Sequence, residues 1–287
     1  MEKIRTYAAV AGSFGRDVDA CIERIACTLA EARSAGAEMV VFPECALGGP
    51  PGPGPGGTLD QPLPPGIRLD GPEVEALIGL SRETVVCLGV SEQTAGGLYS
   101  TAVCLSGAGV HGVHRKVHIP PSELRAYCAG ESFGAFETPV GRIGMLNCYD
   151  KVFPEAARAL ALQGAGTIVA ISAWPVCRER PAEDVGADIQ SLHFDLMDQA
   201  RAVENQVTWI SSNLSGPRGD LRYVGQAKVI DPQGRILART EPGKAGVALA
   251  SLQPDECRSP SRRAISHLRD RRPRAYGGLP TYGVATA

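Results

Sequence analysis

The chain has 287 residues, of which 44% are hydrophobic and 21% charged, and its net charge is −2. That length can bury a large core in one α/β domain. The near-neutral balance gives no case for a nucleic-acid or anionic-membrane surface, and no apolar run reaches the roughly 18 residues a membrane helix needs.

In chain order, Met1 to Arg5 lacks a long apolar leader and runs into a first strand, Thr6 to Val10. Val18, Ile22, Ile25, Ala26 and Leu29 then recur at helical spacing, with Gly36 past the end. Glu38 to Pro43 reads as a buried strand, and Glu44 stands just beyond it, where ligands gather in open α/β sheets. Gly48 to Gly66 is too rich in glycine and proline to join a helix or a ladder. A loop this long is functional or disordered, and its place after Glu44 suits a lid or pocket wall as well as a loose excursion.

Pro72 to Arg82 is expected to be a helix, and Thr84 to Ser91 and Leu98 to Leu105 strands. A turn at Ser106 to Gly109 leads to a hairpin partner, Val110 to Lys116. Phe136 to Thr138 and Arg142 to Asn147 flank a second tight turn. The helix Pro154 to Leu162 and the strand Thr167 to Ser172 follow, the latter ending at Ala173-Trp174-Pro175. A longer helix spans about Asp188 to Glu204, then a strand Gln206 to Ser212, a hairpin through Asp231 to Gly234, and a strand Gly246 to Leu252. Residues 1–255 thus form one domain. Residues 256–287, basic in the middle and without period, read as an arm packing on the domain or on a second subunit.

Nine cysteines lie at 21, 27, 45, 87, 104, 128, 148, 177 and 257. The odd count without a Cys-x-x-Cys pair argues against a disulfide framework and for a reducing, cytoplasmic setting. Cys148 differs from the others because it sits where a strand turns sharply toward a helix. A side chain on such a turn projects from the sheet edge, and a thiol there can be a nucleophile if its proton is removed. His114 and His118 share a strand face with no evident acidic partner, which gives no metal-ligand set. Neither a metal nor a cofactor is expected.

Pro43-Glu44, Arg115-Lys116-Val117-His118-Ile119-Pro120 and Asn147-Cys148-Tyr149-Asp150 with Phe153-Pro154-Glu155 and Arg158 resemble the signature of the nitrilase superfamily of carbon–nitrogen hydrolases. The resemblance continues through Arg201-Ala202-Val203-Glu204-Asn205, Asn213, Gly216, Gly225 and Asp231 to Gly234, covering about residues 4 to 252. It implies a four-layer αββα sandwich, a catalytic triad of Glu44, Lys116 and Cys148, and homo-oligomers that pair across a helical face.

The residue types suit that chemistry. A neighbouring ammonium favours a thiolate, and a carboxylate can take the thiol proton and return it to departing ammonia. Lys116 and the Tyr149 N–H would face the oxygen that becomes negative. Glu123 follows in Pro120-Pro121-Ser122-Glu123, where the family's amidases carry a second, substrate-positioning glutamate, and Trp174 ends a strand beside the expected pocket. Asp150, Glu155 and Arg158 are expected to form a buried polar network under the turn. Tyr149-Asp150 after the cysteine matches the family's amidases and carbamoylases, whereas its nitrilases carry Trp-Glu there. The leading expectation is an amidase for a small linear amide or N-carbamoyl compound. A nitrilase or a non-catalytic binding protein is the alternative.

Overall fold

In a computed structural model that describes residues 4–52, 63–253 and 265–276, the chain forms a four-layer αββα sandwich. The first half comprises β1 (Arg5–Gly12), α1 (Val18–Ser34), β2 (Met39–Val41), α2 (Pro72–Ser81), β3 (Val85–Thr94), β4 (Gly97–Ser106) and β5 (Gly109–Arg115). The second comprises β6 (Ala135–Thr138), β7 (Gly141–Asn147), α3 (Pro154–Leu162), β8 (Thr167–Ser172), α4 (Ile189–Asn205) and β9 (Thr208–Arg218). Four further strands, β10 (Leu221–Val224), β11 (Lys228–Ile230), β12 (Ile236–Arg239) and β13 (Gly246–Leu252), complete it.

Strand order runs β5-β4-β3-β2-β1-β9-β8-β7-β6. β1 and β9 pair only through Ala11 with Asn213 and Gly12 with Leu214, so the two halves join at one corner and fold over each other. β13 pairs β1 and β11 pairs β9, filling the space beside that corner.

Side-chain alternation builds the layers. Ala8, Val10, Val40, Val86 and Leu88 pack against Ile25 and Leu29 of α1 and Val74 and Leu77 of α2. Their neighbours Tyr7, Ala9, Met39, Val41 and Cys87 turn inward and meet Ile143, Met145, Val169 and Ile171 of the other sheet. Leu146, Ile168, Ala170 and Trp209 point outward again, onto Ala157 and Leu160 of α3 and Ala202 of α4. Asp17 caps α1 by accepting from Ala20 N, and Pro154 opens α3, where a missing N–H costs nothing.

Three elements differ from the sequence reading. β2 stops at Val41, and the Phe42 N–H still bonds Cys87 O before Pro43, which has no N–H, leaves the ladder. β9 starts at Thr208 because Gln206 takes the left-handed cap of α4, at φ 55°. It then runs on through Arg218 because β10, absent from the sequence reading, pairs antiparallel with its end.

Of the arm, residues 265–276 lie on their own domain: His267 N donates to Gln206 Oε1 at 3.0 Å and Leu268 packs on the α3–α4 core. The rest of the arm, the boundary at residue 255, and the middle of the glycine–proline segment lie outside the described residues.

Candidate active site

Glu44, Lys116 and Cys148 each stand just past the carboxyl end of a strand, and all three ends open on the same edge of the sandwich. Glu44 is followed by a tight turn at Cys45, φ 55°. Gly89 of β3 runs against that turn, where a Cβ would stand 2.5 Å from Cys45 N and 2.6 Å from Glu44 Cα. Only glycine allows so close an approach. Lys116 extends β5, with its N–H on Ser100 O at 2.8 Å, and its side chain is wholly buried. Cys148 has φ 50° and opens a 3-10 turn that ends at Val152. A non-glycine residue held there stores about 1–3 kcal/mol of backbone strain.

The polar groups converge. Lys116 Nζ donates to Glu44 Oε1 at 2.9 Å and to Glu123 Oε2 at 2.7 Å. Glu44 Oε1 also accepts from Ser100 Oγ at 2.9 Å, and Oε2 from Ala173 N at 3.0 Å. Ser100 in turn accepts from Asn147 Nδ2 at 3.0 Å. Asn147 thus ties the cysteine turn to Glu44 through one hydroxyl.

Charge decides the resting state of the thiol, and it differs from the sequence expectation. Burial pushes the Cys148 thiol well above its usual range, the nearby Glu44 carboxylate adds to this, and Lys116 only partly offsets them. Two carboxylates share one ammonium here, so a thiolate would add a second uncompensated negative charge. Lys116 itself stays protonated: burial opposes its charge, but Glu123 and Glu44 outweigh that and hold it well above its usual value. Burial also raises the Glu123 carboxyl, against the pull of Lys116.

Beneath the turn, Asp150 is the acidic partner of both histidines, which sequence spacing did not reveal. Asp150 Oδ2 accepts from His114 Nε2 at 2.8 Å and from Asn147 N at 3.2 Å, and Oδ1 accepts from His118 N and Nδ1 at 2.9 and 2.8 Å. Burial disfavours the Asp150 charge, but the hydrogen bonds from His114 and His118 hold its carboxyl well below the usual range. An ionised carboxylate has only acceptors, so both rings donate to it. Asp150 thereby clamps the segment carrying Lys116 to the segment carrying Cys148.

Glu155 does not belong to this network. It is exposed at the start of α3, because its helical position points it away from the turn, and Arg158 is half-buried with Nη2 on Glu204 O at 2.9 Å. The buried ionic group is instead Lys151, whose Nζ meets Asp198 Oδ1 at 2.9 Å, with Lys228 on Oδ2 at 2.9 Å and Asp195 at 2.7 Å. Both ammonium groups lie against the Phe194 ring, Lys151 Nζ at 3.2 Å and Lys228 Nζ at 4.0 Å from its centre.

A cavity of about 460 Å³ opens onto Cys148 and Glu123. Its walls include Tyr149, Trp174, Gln190 and Tyr223, and Pro50 and Pro51 from the start of the glycine–proline segment. Trp174 is both wall and packing residue: its ring stands 5.9 Å from Phe194, its N–H bonds Asn213 Oδ1 at 2.7 Å, and its Nε1 bonds Gln190 Oε1 at 2.9 Å. Ser100, Ala173 and Gln190 were not singled out as site residues from sequence, because each joins through a contact with a residue distant in the chain or a place on the cavity wall.

Solved structures that share this fold include a carbon–nitrogen hydrolase and an amidase from the nitrilase superfamily. A carbon–nitrogen hydrolase from Helicobacter pylori G27 superposes with a TM-score of 0.81 at 24% identity, over 95% of this chain and 97% of that one. A mutant of the amidase from Nesterenkonia sp. AN1, carrying acrylamide added at its active-site cysteine, gives a TM-score of 0.74 at 22% identity over 95% and 98%. Among sequence relatives, an (R)-stereoselective amidase from Pseudomonas sp. is 31% identical over 263 residues, 90% of this chain and 88% of that protein. A probable nitrilase from Schizosaccharomyces pombe is 31% identical over 183 residues, and the match spans 63% of each, under two thirds of that relative. The carbon–nitrogen hydrolase family model matches residues 7–261. The chain belongs to the carbon–nitrogen hydrolase family.

Proposed function

We propose that the protein is an amidase that cleaves a small linear amide or N-carbamoyl compound through a thioester on Cys148. The observation that carries this reading is the shared buried ammonium: Lys116 joins Glu44 to Glu123, and Glu123 and Cys148 both line the cavity. The Cys148 thiol passes its proton to Glu44 as the sulfur attacks the carbonyl carbon, and the net charge of the site does not change. Glu44 has an open lone pair for it, since Oε2 accepts only from Ala173 N among the described residues. Lys116 has three N–H donors and uses two on the carboxylates, which leaves the third, with the Tyr149 N–H, for the oxygen that becomes negative. Glu44 then returns the proton to departing ammonia and later takes one from the water that opens the thioester.

Glu123 accepts from the substrate amide N–H₂ and holds it for attack. A nitrile offers no such donor and would leave the carboxylate short of a partner, which favours amides over nitriles. The named amidase activity of the Pseudomonas relative and the cysteine adduct in the Nesterenkonia protein support the same reading. An ammonia-release screen of amides, N-carbamoyl compounds and nitriles tests it, with Cys148→Ala as the blank. Release from amides that vanishes in the blank is expected; release from nitriles alone, or release that survives the blank, refutes it.

The protein also forms a homodimer or larger assembly through α3 and α4. Ile189, Leu192, Leu196 and Val203 fall on one stripe of α4 and are 46%, 52%, 54% and 41% exposed, with Leu162 of α3 nearby in the layer at 51%. A second copy covers such a stripe by two-fold pairing. A concentration-independent monomer mass in sedimentation refutes this. No helix among the described residues is long and apolar enough to cross a membrane.

A further inference from the structure

The amidase reading leaves open what the far end of the cavity recognises. Two side chains on its rim offer hydrogen-bond donors. Gln190 is fixed in orientation by Trp174: an indole N–H can only donate, so the Gln190 oxygen must face it. The Gln190 Nε2 group then has two N–H donors and no protein partner among the described residues, on a side chain that lines the cavity. Arg178 lines the same wall, and its guanidinium likewise has no hydrogen-bond or ion-pair partner among the described residues.

The wall that carries them is built in advance. Asp188 accepts from Cys177 N, Ala182 N and Gln190 N, each at 2.9 Å. Val176 N bonds Arg222 O at 2.9 Å, and the Arg222 guanidinium donates to the carbonyls of Ala182 and Glu183. Arg222 thus holds the wall, while Arg178 is left facing the opening.

We propose that Arg178 and the Gln190 carboxamide form a carboxylate subsite, so that the preferred substrate is a short primary amide with a carboxylate at its far end. This rests on the amidase reading and deepens it. At the floor, Glu44 and Glu123 outnumber Lys116 and repel an anion, so the substrate carboxylate must be held away by a short spacer. A guanidinium at the rim supplies the counter-charge there, and a planar carboxylate can take one bond from each donor. Glu179 sits on the same rim with the opposite sign. Arg178 is favoured because its charge is felt at the floor, where it acts with Lys116 against the burial-driven rise of the Glu123 carboxyl. Monoamides of short dicarboxylic acids and N-carbamoyl amino acids share this chemistry.

The test compares kcat/KM for succinic and glutaric monoamides and N-carbamoylglycine with that for uncharged amides of equal length and for ω-amino amides. The carboxylated amides are expected to exceed their uncharged counterparts by about 10-fold or more, and Arg178→Gln to shrink that ratio by about 10- to 100-fold. Gln190→Glu keeps an acceptor for Trp174 but replaces the donor with a negative oxygen, and it should shrink the ratio as well. A wild-type preference for uncharged or ω-amino amides, or an equal loss on all amides in both variants, overturns the subsite. The relative rates of the carboxylated compounds show which of the two classes is used. If no amide turns over, the amidase reading fails, and calorimetry with Cys148→Ala still decides the subsite. Binding of glutaric monoamide that Arg178→Gln abolishes supports the proposal, and no binding overturns it.

Discussion

Asp198 lies at the centre of the buried ionic group behind the Cys148 turn, and replacing it by leucine should show how that group is balanced. Asp198 accepts from Lys151, Lys228 and Trp209 Nε1, each at 2.9 Å, and it and both lysines are fully buried. Burial disfavours its charge, yet Lys151 and Lys228 hold the carboxyl below its usual range. Burial already lowers Lys151 to about 8, with Asp198 pulling the other way. In Asp198→Leu that pull is gone, but Lys151 can escape by losing its proton. At pH 7 the added cost is therefore about 1.4 kcal/mol for the unit between 8 and 7. The orphaned Trp209 N–H adds about 1–3 kcal/mol, while Lys228 keeps Asp195. The sum is about 2–5 kcal/mol, read as a fall in Tm of about 4–20 °C at the 2–4 °C per kcal/mol typical of large domains.

The pH dependence makes this specific. A lysine whose folded pKa is depressed gains stability as pH rises above that value, because the unfolded chain holds the extra proton. The depression is greater in the variant, so its deficit should be largest near pH 6 and shrink toward pH 9. Replacing all three groups (Lys151→Met, Asp198→Leu, Lys228→Met) removes the buried charges together, so it should be less destabilised than Asp198→Leu alone and lose the pH dependence, with only the orphaned Trp209 N–H left to count against it. Thermal and urea unfolding across pH 6–9 measures both. A deficit under about 1 kcal/mol at pH 7, or one that grows with pH, refutes the reasoning.

Glu123→Gln should lower amide kcat/KM by about 100-fold or more through lost positioning, while Cys148 alkylation is kept or rises, since one carboxylate that disfavours the thiolate is gone; near-wild-type turnover would show a bystander carboxylate. Because the Cys148 thiol keeps its proton at neutral pH, its iodoacetamide labelling, followed by mass spectrometry, should climb about tenfold per pH unit from 7 to 9, and a plateau below pH 8 would reveal a resting thiolate instead. Asp150, with its carboxyl held below the usual range, contributes stability that is present above its unfolded pKa near 4 and lost as pH falls through the folded one. Urea titration should therefore find Asp150→Asn weaker than wild type by more than about 2 kcal/mol at pH 7, with the gap holding down to about pH 4 and narrowing only below it.

The strands, the helices and the three chemical stretches were legible in the sequence because each is a local pattern. Alternation in Thr6 to Val10 and helical spacing from Val18 to Leu29 are written in neighbouring residues, and so are the turns after Glu44, Lys116 and Cys148. Boundaries were less secure where tertiary pairing set them, as in β9, which β10 extends to Arg218. Local pattern also misplaced Glu155, since its exposure depends on which face of α3 meets the core.

Only the fold decided the electrostatics. Lys116 promised a thiolate when read as a lone charge beside Cys148, but Glu44 and Glu123, 72 and 7 residues from Lys116 in the chain, both close on its ammonium and reverse the sign. Likewise His114 and His118 found their carboxylate in Asp150, 36 and 32 residues on, and Asn147 reached Glu44 through Ser100. A sequence fixes which groups are available, whereas Coulomb and desolvation terms depend on distances and burial that long-range strand pairing alone creates.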